Sequence, residues 1–348
     1  MIDFRYHLVS IVAVFLALAV GIVLGSTELR GAAFTALDRT SSALSAKLNA
    51  ANNENSALQQ EVNGDRSFAQ AAEPVLLAHL LDGKRVVLIT APGAPSGVVN
   101  GITTALGDAG AAVSAQVALS TRFADTSASN LSLLDQLTQR VVPSGLTLAN
   151  GTPQQQAAQV LASALVSAGS SGSGSGGSGG SGSHAGGSQA AQTILSSYSA
   201  GQFITITGQP AQGATLAVIV TPASAPADGN SDPANQAIVS LAQEFGTGSA
   251  ATVVTGPSAG SGQGSAISAV RSSGAANSVS TVDNADQVSG QIVVVQALHQ
   301  QLNGHKPGSY GIQSDADSAG PSPAPAPSSS PSGPPPASTK TTSAKGHK

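Results

Sequence analysis

The sequence predicts an α/β protein in four parts. These are an N-terminal transmembrane helix, a short coiled-coil stalk, an open and mostly parallel α/β sheet domain, and a disordered C-terminal tail. Three observations predict it. An apolar run carries no charged side chain from Leu8 to Leu24. Apolar residues then fall into heptads. From Val75 onward, β-branched runs alternate with helix-period segments, the pattern of a parallel sheet. The boundaries fall at 1–28 for the anchor, 29–70 for the stalk, 71–312 for the α/β domain and 313–348 for the tail. A flexible Gly/Ser insert occupies 169–188.

The apolar run is about 17 residues, or about 26 Å as a helix, at the short end of what spans a bilayer. Val23-Leu24-Gly25 would serve as a signal-peptide cleavage site, so removal and retention both remain open. Retention is favoured by Ala13, Ala17, Gly21 and Gly25, which recur every fourth residue and form a small-residue ridge suited to close helix packing. Arg5 and His7 on the short N-terminal side bias that side slightly toward the cytoplasm, which puts the main domain outside it.

The stalk places Phe34, Ser41, Leu48, Asn55 and Val62 at heptad position a. Leu37, Leu44, Ala51, Leu58 and Asp65 take position d. Leu at d with Asn55 at a is the pattern of a parallel dimer whose register is set by a buried Asn pair. A single amphipathic helix packed on its own domain is the competing reading. Gly64-Asp65 reads as the end of the regular stalk.

In the domain, Val75 to Leu81 reads as a helix and Arg85 to Thr90 as a buried strand. Ser96 to Asp108 is a helix closed by Gly110, and Val113 to Leu119 a strand, which completes a βαβ unit. Helices follow at Leu131 to Val141 and from Thr152-Pro153-Gln154-Gln155, a capping box with Pro at the first helical position. The Gly/Ser run has no core-forming residue. Beyond it come strands at Gln202 to Thr207, Leu216 to Val220, Ala251 to Thr255 and Ser278 to Val282. Helices alternate with these at Pro233 to Phe245, Ala266 to Ser272 and Gln287 to Leu302. The last helix is read as capped by Asp283, with Asp286 in its first turn. The Pro/Ser-rich end cannot build a core.

Composition excludes several functions. The chain has no Cys, so disulfides and thiolate sites are absent, and Met1 is its one Met. The formal net charge is −4 with charged residues at 9%, and no basic stripe interleaved with aromatics suggests nucleic acid. The turn "TAPGAPSG" after the first strand stands where a phosphate loop would lie, yet matches no nucleotide motif. No nucleophile elbow and no H-E-x-x-H motif appear, so no enzyme is expected. His7, His79, His184, His299, His305 and His347 are scattered, though His299 and His305 could meet at the end of the last helix. The residues by themselves assign no metal ligands, no cofactor and no copper chemistry.

The N-terminal "MIDFRYHLVSIVAVFLALAVGIVLGSTEL" closely resembles the start of the actinobacterial MctB-like family, the copper transport outer membrane proteins. "GHKPGSYGI" resembles that family's closing Gly-x-Tyr-Gly element, here Gly308 with Ser309-Tyr310-Gly311. "GKRVVLITAPGA" and "LGDAGAAV" fit its pattern as well. The resemblance covers Met1 to about Ile312. It implies an envelope protein with a role in copper efflux or homeostasis, with copper as the one metal suggested. The alternative is a non-transporting envelope scaffold that dimerises through its stalk and binds a partner protein.

Overall fold

A computed structural model describes residues 4–166, 184–209 and 213–322. The chain divides into two units, residues 1–72 and 73–348. The first is helix. Helix α1 runs from Phe4 to Leu77, and its last turn belongs to the second unit. The expected stop at Gly64-Asp65 does not occur. A Gly ends a helix cheaply when it takes a left-handed conformation, and Gly64 is not among the glycines with positive φ. It stays helical at a cost of about 1 kcal/mol. The separate helix expected at 75–81 is therefore the end of α1, followed by turns in which His79 takes φ 63°.

The second unit is an α/β domain. Its strands are β1 (Arg85–Thr90), β2 (Ala112–Leu119), β3 (Ile204–Gly208), β4 (Leu216–Val220), β5 (Ala251–Thr255), β6 (Ser280–Val282) and β7 (Ser309–Tyr310). Among the described residues they form one sheet in the order β3-β2-β1-β4-β5-β6-β7. Every neighbouring pair is parallel except β2 with β3.

The helices are α2 (Ser96–Asp108), α3 (Thr121–Ala124), α4 (Ala128–Val141), α5 (Pro153–Leu165), α6 (His184–Ala200), α7 (Pro233–Gly248), α8 (Ala266–Arg271) and α9 (Val288–Leu302). They cover both faces, which explains why β1 and β4 read as continuous apolar runs rather than alternating ones. Val87, Ile89, Ala217 and Ile219 enter a core with α4 to α8. Val86, Leu88, Leu216, Val218 and Val220 enter the other core with Leu77, Leu81, α2 and α9.

The capping box at Thr152 forms as read, with Gln155 N–H donating to Thr152 Oγ1 at 3.3 Å. Asp232 caps α7, accepting Ala234 N–H at 2.8 Å. Asp283 and Asp286 do not cap α9. That helix starts at Val288, and its N-cap position, Gln287, makes no side-chain cap bond. Strand β3 begins at Ile204 rather than Gln202 because Gln202 takes φ 61° in the turn that ends α6. Strand β6 begins at Ser280 because 274–277 form a 3₁₀ turn.

Helix α6 has no counterpart among the elements expected from the sequence. It overlaps the end of the expected insert, of which residues 184–188 are helical, and 167–183 lie outside the described residues. Its signal is Ala191, Ile194, Leu195 and Tyr198, an i, i+3, i+4, i+7 set that is buried in the core. The expected tail also starts too early. Residues 313–322 hold to the domain through Gln313, Asp315 and Ser322, and 323–348 lie outside the described residues.

One carboxylate at the end of α1 gives a pH prediction. Glu73 Oε1 is buried without a hydrogen-bond partner. Burial, and next the negative charge of Asp108, raise the Glu73 pKa above its ordinary value. A carboxyl raised on folding weakens the fold while it is ionised. The penalty fades as pH falls through the folded pKa and is gone below the unfolded one. Glu73→Gln is expected to melt higher than the wild type at neutral pH, with the difference closing toward pH 4 in a series of thermal melts. A difference that stays constant with pH would contradict this.

Candidate functional site

Four features of the molecule can carry function, and the first is the rod. The window Arg5–Gly25 is apolar enough to cross a membrane, with a mean hydropathy of 2.9 over 21 residues, and none of it is buried. Ala13, Ala17, Gly21 and Gly25 all lie exposed on α1, and a Cβ added at Gly21 or Gly25 would meet nothing. Farther along, Leu37, Leu44, Leu48, Leu58 and Val62 are 66%, 67%, 60%, 53% and 50% exposed. Asn55 lies exposed on the same helix, and Phe34 lies on it with a side chain outside the described set. Because α1 passes Gly64 unbroken, the same register continues to Ala69 and Ala72. Between Leu37 and Val62, the apolar seam positions lie exposed in the single chain.

The second feature is a crevice of about 390 Å³ at the carboxyl ends of β1, β2 and β4. Strand order turns there. β1 has β2 on one side and β4 on the other, so the loops leaving them diverge, which is where open α/β sheets tend to bind ligands. The loop "TAPGAPSG" forms part of one wall, and Ala223 N–H donates to Gly93 O at 3.2 Å to tie it to the turn after β4. The lining is mainly apolar, with Phe123, Pro222 and Ile238 among it. Its two charges, Asp125 and Asp232, are both acidic. Both carboxylates are also engaged by nearby N–H groups, of Ser127 and Ala234. None of the residues that line it is basic.

The third is a clasp that the sequence did not reveal. Asp283, fully buried, receives Arg271 Nη2 at 2.9 Å, Ile312 N–H at 2.7 Å and Gln313 N–H at 3.3 Å. Arg271 also donates to Tyr310 O at 2.8 Å, to Thr281 Oγ1 at 2.9 Å and to Asp315 at 2.6 Å. The Ser309-Tyr310-Gly311 element thus runs as β7 into a charged lock. Gly311 has φ 134° and lies so close that a Cβ would strike the Asp283 carboxylate. Next to it, burial by itself would raise the Asp286 pKa. Hydrogen bonds from the Ser258 N–H and hydroxyl outweigh that and hold it low. One signal could have revealed the lock: in a chain with 9% charged residues, Arg271 closes an apolar helix and Asp283 stands directly after a strand.

The last concerns metal ligands. Among the described residues no group of three or more His, Asp or Glu side chains could hold a metal ion. His79 Nδ1 lies 2.8 Å from Asp82 Oδ2 on the surface, and His7 lies on the apolar span. His299 and His305 share the lining of one cavity of about 250 Å³.

A family model described as "Copper transport outer membrane protein, MctB" matches residues 1–321. The chain is also similar to the Copper transporter MctB of Mycobacterium tuberculosis. The two are 27% identical over 317 residues, which span 89% of this chain and 96% of that one. The similarity to the Copper transporter MctB of Mycobacterium leprae is 26% over 323 residues, 91% of this chain and 98% of that one.

Proposed function

Since the chain belongs to the MctB family of copper transport outer membrane proteins, we propose that it serves copper efflux and copper homeostasis from the cell envelope. In this reading the Arg5–Gly25 span stays in the membrane as an anchor and the α/β domain lies outside the cytoplasm. The chain works as a parallel dimer through the seam on α1, in contact with an envelope partner protein, and does no catalysis of its own. The observation that carries the copper role is the family match, which runs through both units of the chain. The exposed Leu seam supports the dimer, since five large apolar side chains in heptad register gain most by facing a second copy.

Copper is cargo here rather than a resident cofactor. Without Cys, and with its one Met at the start of the chain, the protein offers no thiolate or thioether cage. That donor set suits brief contact through imidazole and oxygen rather than tight storage.

Deleting the gene is expected to sensitise cells to added copper in growth assays, and the wild-type chain to restore tolerance. Unchanged tolerance would contradict the copper role and favour the scaffold reading. For the seam, Asn55→Ile is expected to raise the thermal stability of the oligomer and broaden its size distribution on sedimentation, because the polar pair that fixes register is lost. A variant that stays monomeric, like a monomeric wild type, would contradict the dimer.

A further inference from the structure

We infer that His299 and His305 form a copper-contacting site on the α/β domain; the inference rests on the copper reading above and names the residues that carry it. Helix α9 presents His299 in its last turn. The chain then reverses through Asn303 and Gly304, with Gly304 at φ 78°, a conformation that suits glycine. His305 N–H donates to Gln300 O at 3.1 Å, which returns His305 to the helix end it has just left. Both residues line the same cavity of about 250 Å³. Its wall is completed by Pro321 and Ser322, the latter held by Gln300 Nε2 donating to Ser322 O at 2.8 Å.

The chemistry of this corner suits copper. Imidazole nitrogen is a good ligand for copper, and oxygen donors complete the shell of the oxidised ion. The Asn303 amide lies 3.2 Å from His299 Nε2, and a half-turn about its last bond would bring its oxygen to the same place. The C-terminal end of a helix is the negative end of its dipole, which favours a cation. The other histidines with described side chains are placed differently: His79 lies beside Asp82, and His7 is within the apolar span. Two imidazoles without a third charged ligand would hold copper reversibly, as a transfer point must.

The test uses the full chain in detergent micelles with Cu(II) added at one equivalent, read by the nitrogen modulation that imidazole imposes on the copper electron-spin echo. The wild type is expected to show two coupled imidazoles, His305→Ala one, and His299→Ala/His305→Ala none, with affinity lower by about 10-fold or more. His79→Ala is expected to match the wild type. His305 is exposed, so its replacement leaves the fold intact, and circular dichroism checks this for each variant. A double variant with wild-type modulation, or a wild type that binds no copper, overturns the inference. Either result leaves the transport reading standing if the deletion strain is still copper-sensitive; a deletion strain of normal tolerance removes that reading by itself.

Discussion

Asp283→Ala is expected to lower the unfolding free energy of the α/β domain by about 3–5 kcal/mol, the usual cost of removing one partner from a buried ion pair. The Arg271 side chain is 6% exposed and that of Asp283 is fully buried. Without the carboxylate, the guanidinium keeps Asp315, which is 40% exposed and screened by water, and the Tyr310 carbonyl. Two backbone N–H groups, of Ile312 and Gln313, lose their acceptor as well. Urea unfolding of the full chain measures the loss. Limited proteolysis should show cleavage within 309–322 before the rest of the domain is attacked, because the clasp is what ties that segment down. A change below about 1 kcal/mol, the size of a surface ion pair, would mean that the lock contributes little.

Replacing Leu44, Leu48 and Leu58 together by Asn is expected to convert the full-length chain from dimer to monomer. In one chain these three side chains are 67%, 60% and 53% exposed. Burying a Leu side chain is worth about 1.5–3 kcal/mol. Over two chains the seam then gains on the order of 10 kcal/mol from these positions, and each 1.4 kcal/mol is about tenfold in affinity. All three residues lie in the first unit, outside the α/β domain. The melting of the α/β domain should therefore stay put while the sedimenting mass halves. Equal masses for variant and wild type would show that the seam is not an interface.

The parts of the fold that were legible in the sequence are those set by local rules. Arg85–Thr90 and Leu216–Val220 are apolar without alternation because helices cover both faces of the sheet. Thr152-Pro153 starts α5 because the Thr152 hydroxyl accepts the Gln155 N–H and the Gln155 side chain accepts the Thr152 N–H, all within four residues. Elsewhere local signals misled. Gly64-Asp65 carries the composition of a stop, but α1 continues through both residues. Asp283 stands just ahead of a helix, as a cap would, but its partner is Arg271, twelve residues earlier and on another element. That pairing depends on how the elements pack, which no local pattern encodes. The same holds for the candidate sites. The heptads and the small-residue ridge are periodic and can be read directly. That His299 and His305 both stand at the end of the last helix could be read from their positions, but that both line one cavity depends on the turn at Gly304 and the returning segment at Pro321 and Ser322.

If this chain helps move copper out of the cell, as proposed above, efflux itself tests that role most directly. Cells lacking the gene would be loaded with copper, moved to copper-free medium and followed for retained metal, alongside the same strain expressing the wild-type chain. Copper is expected to leave the deletion strain more slowly, and the wild-type chain to restore the rate. Equal rates of loss in the deletion and wild-type strains would contradict it.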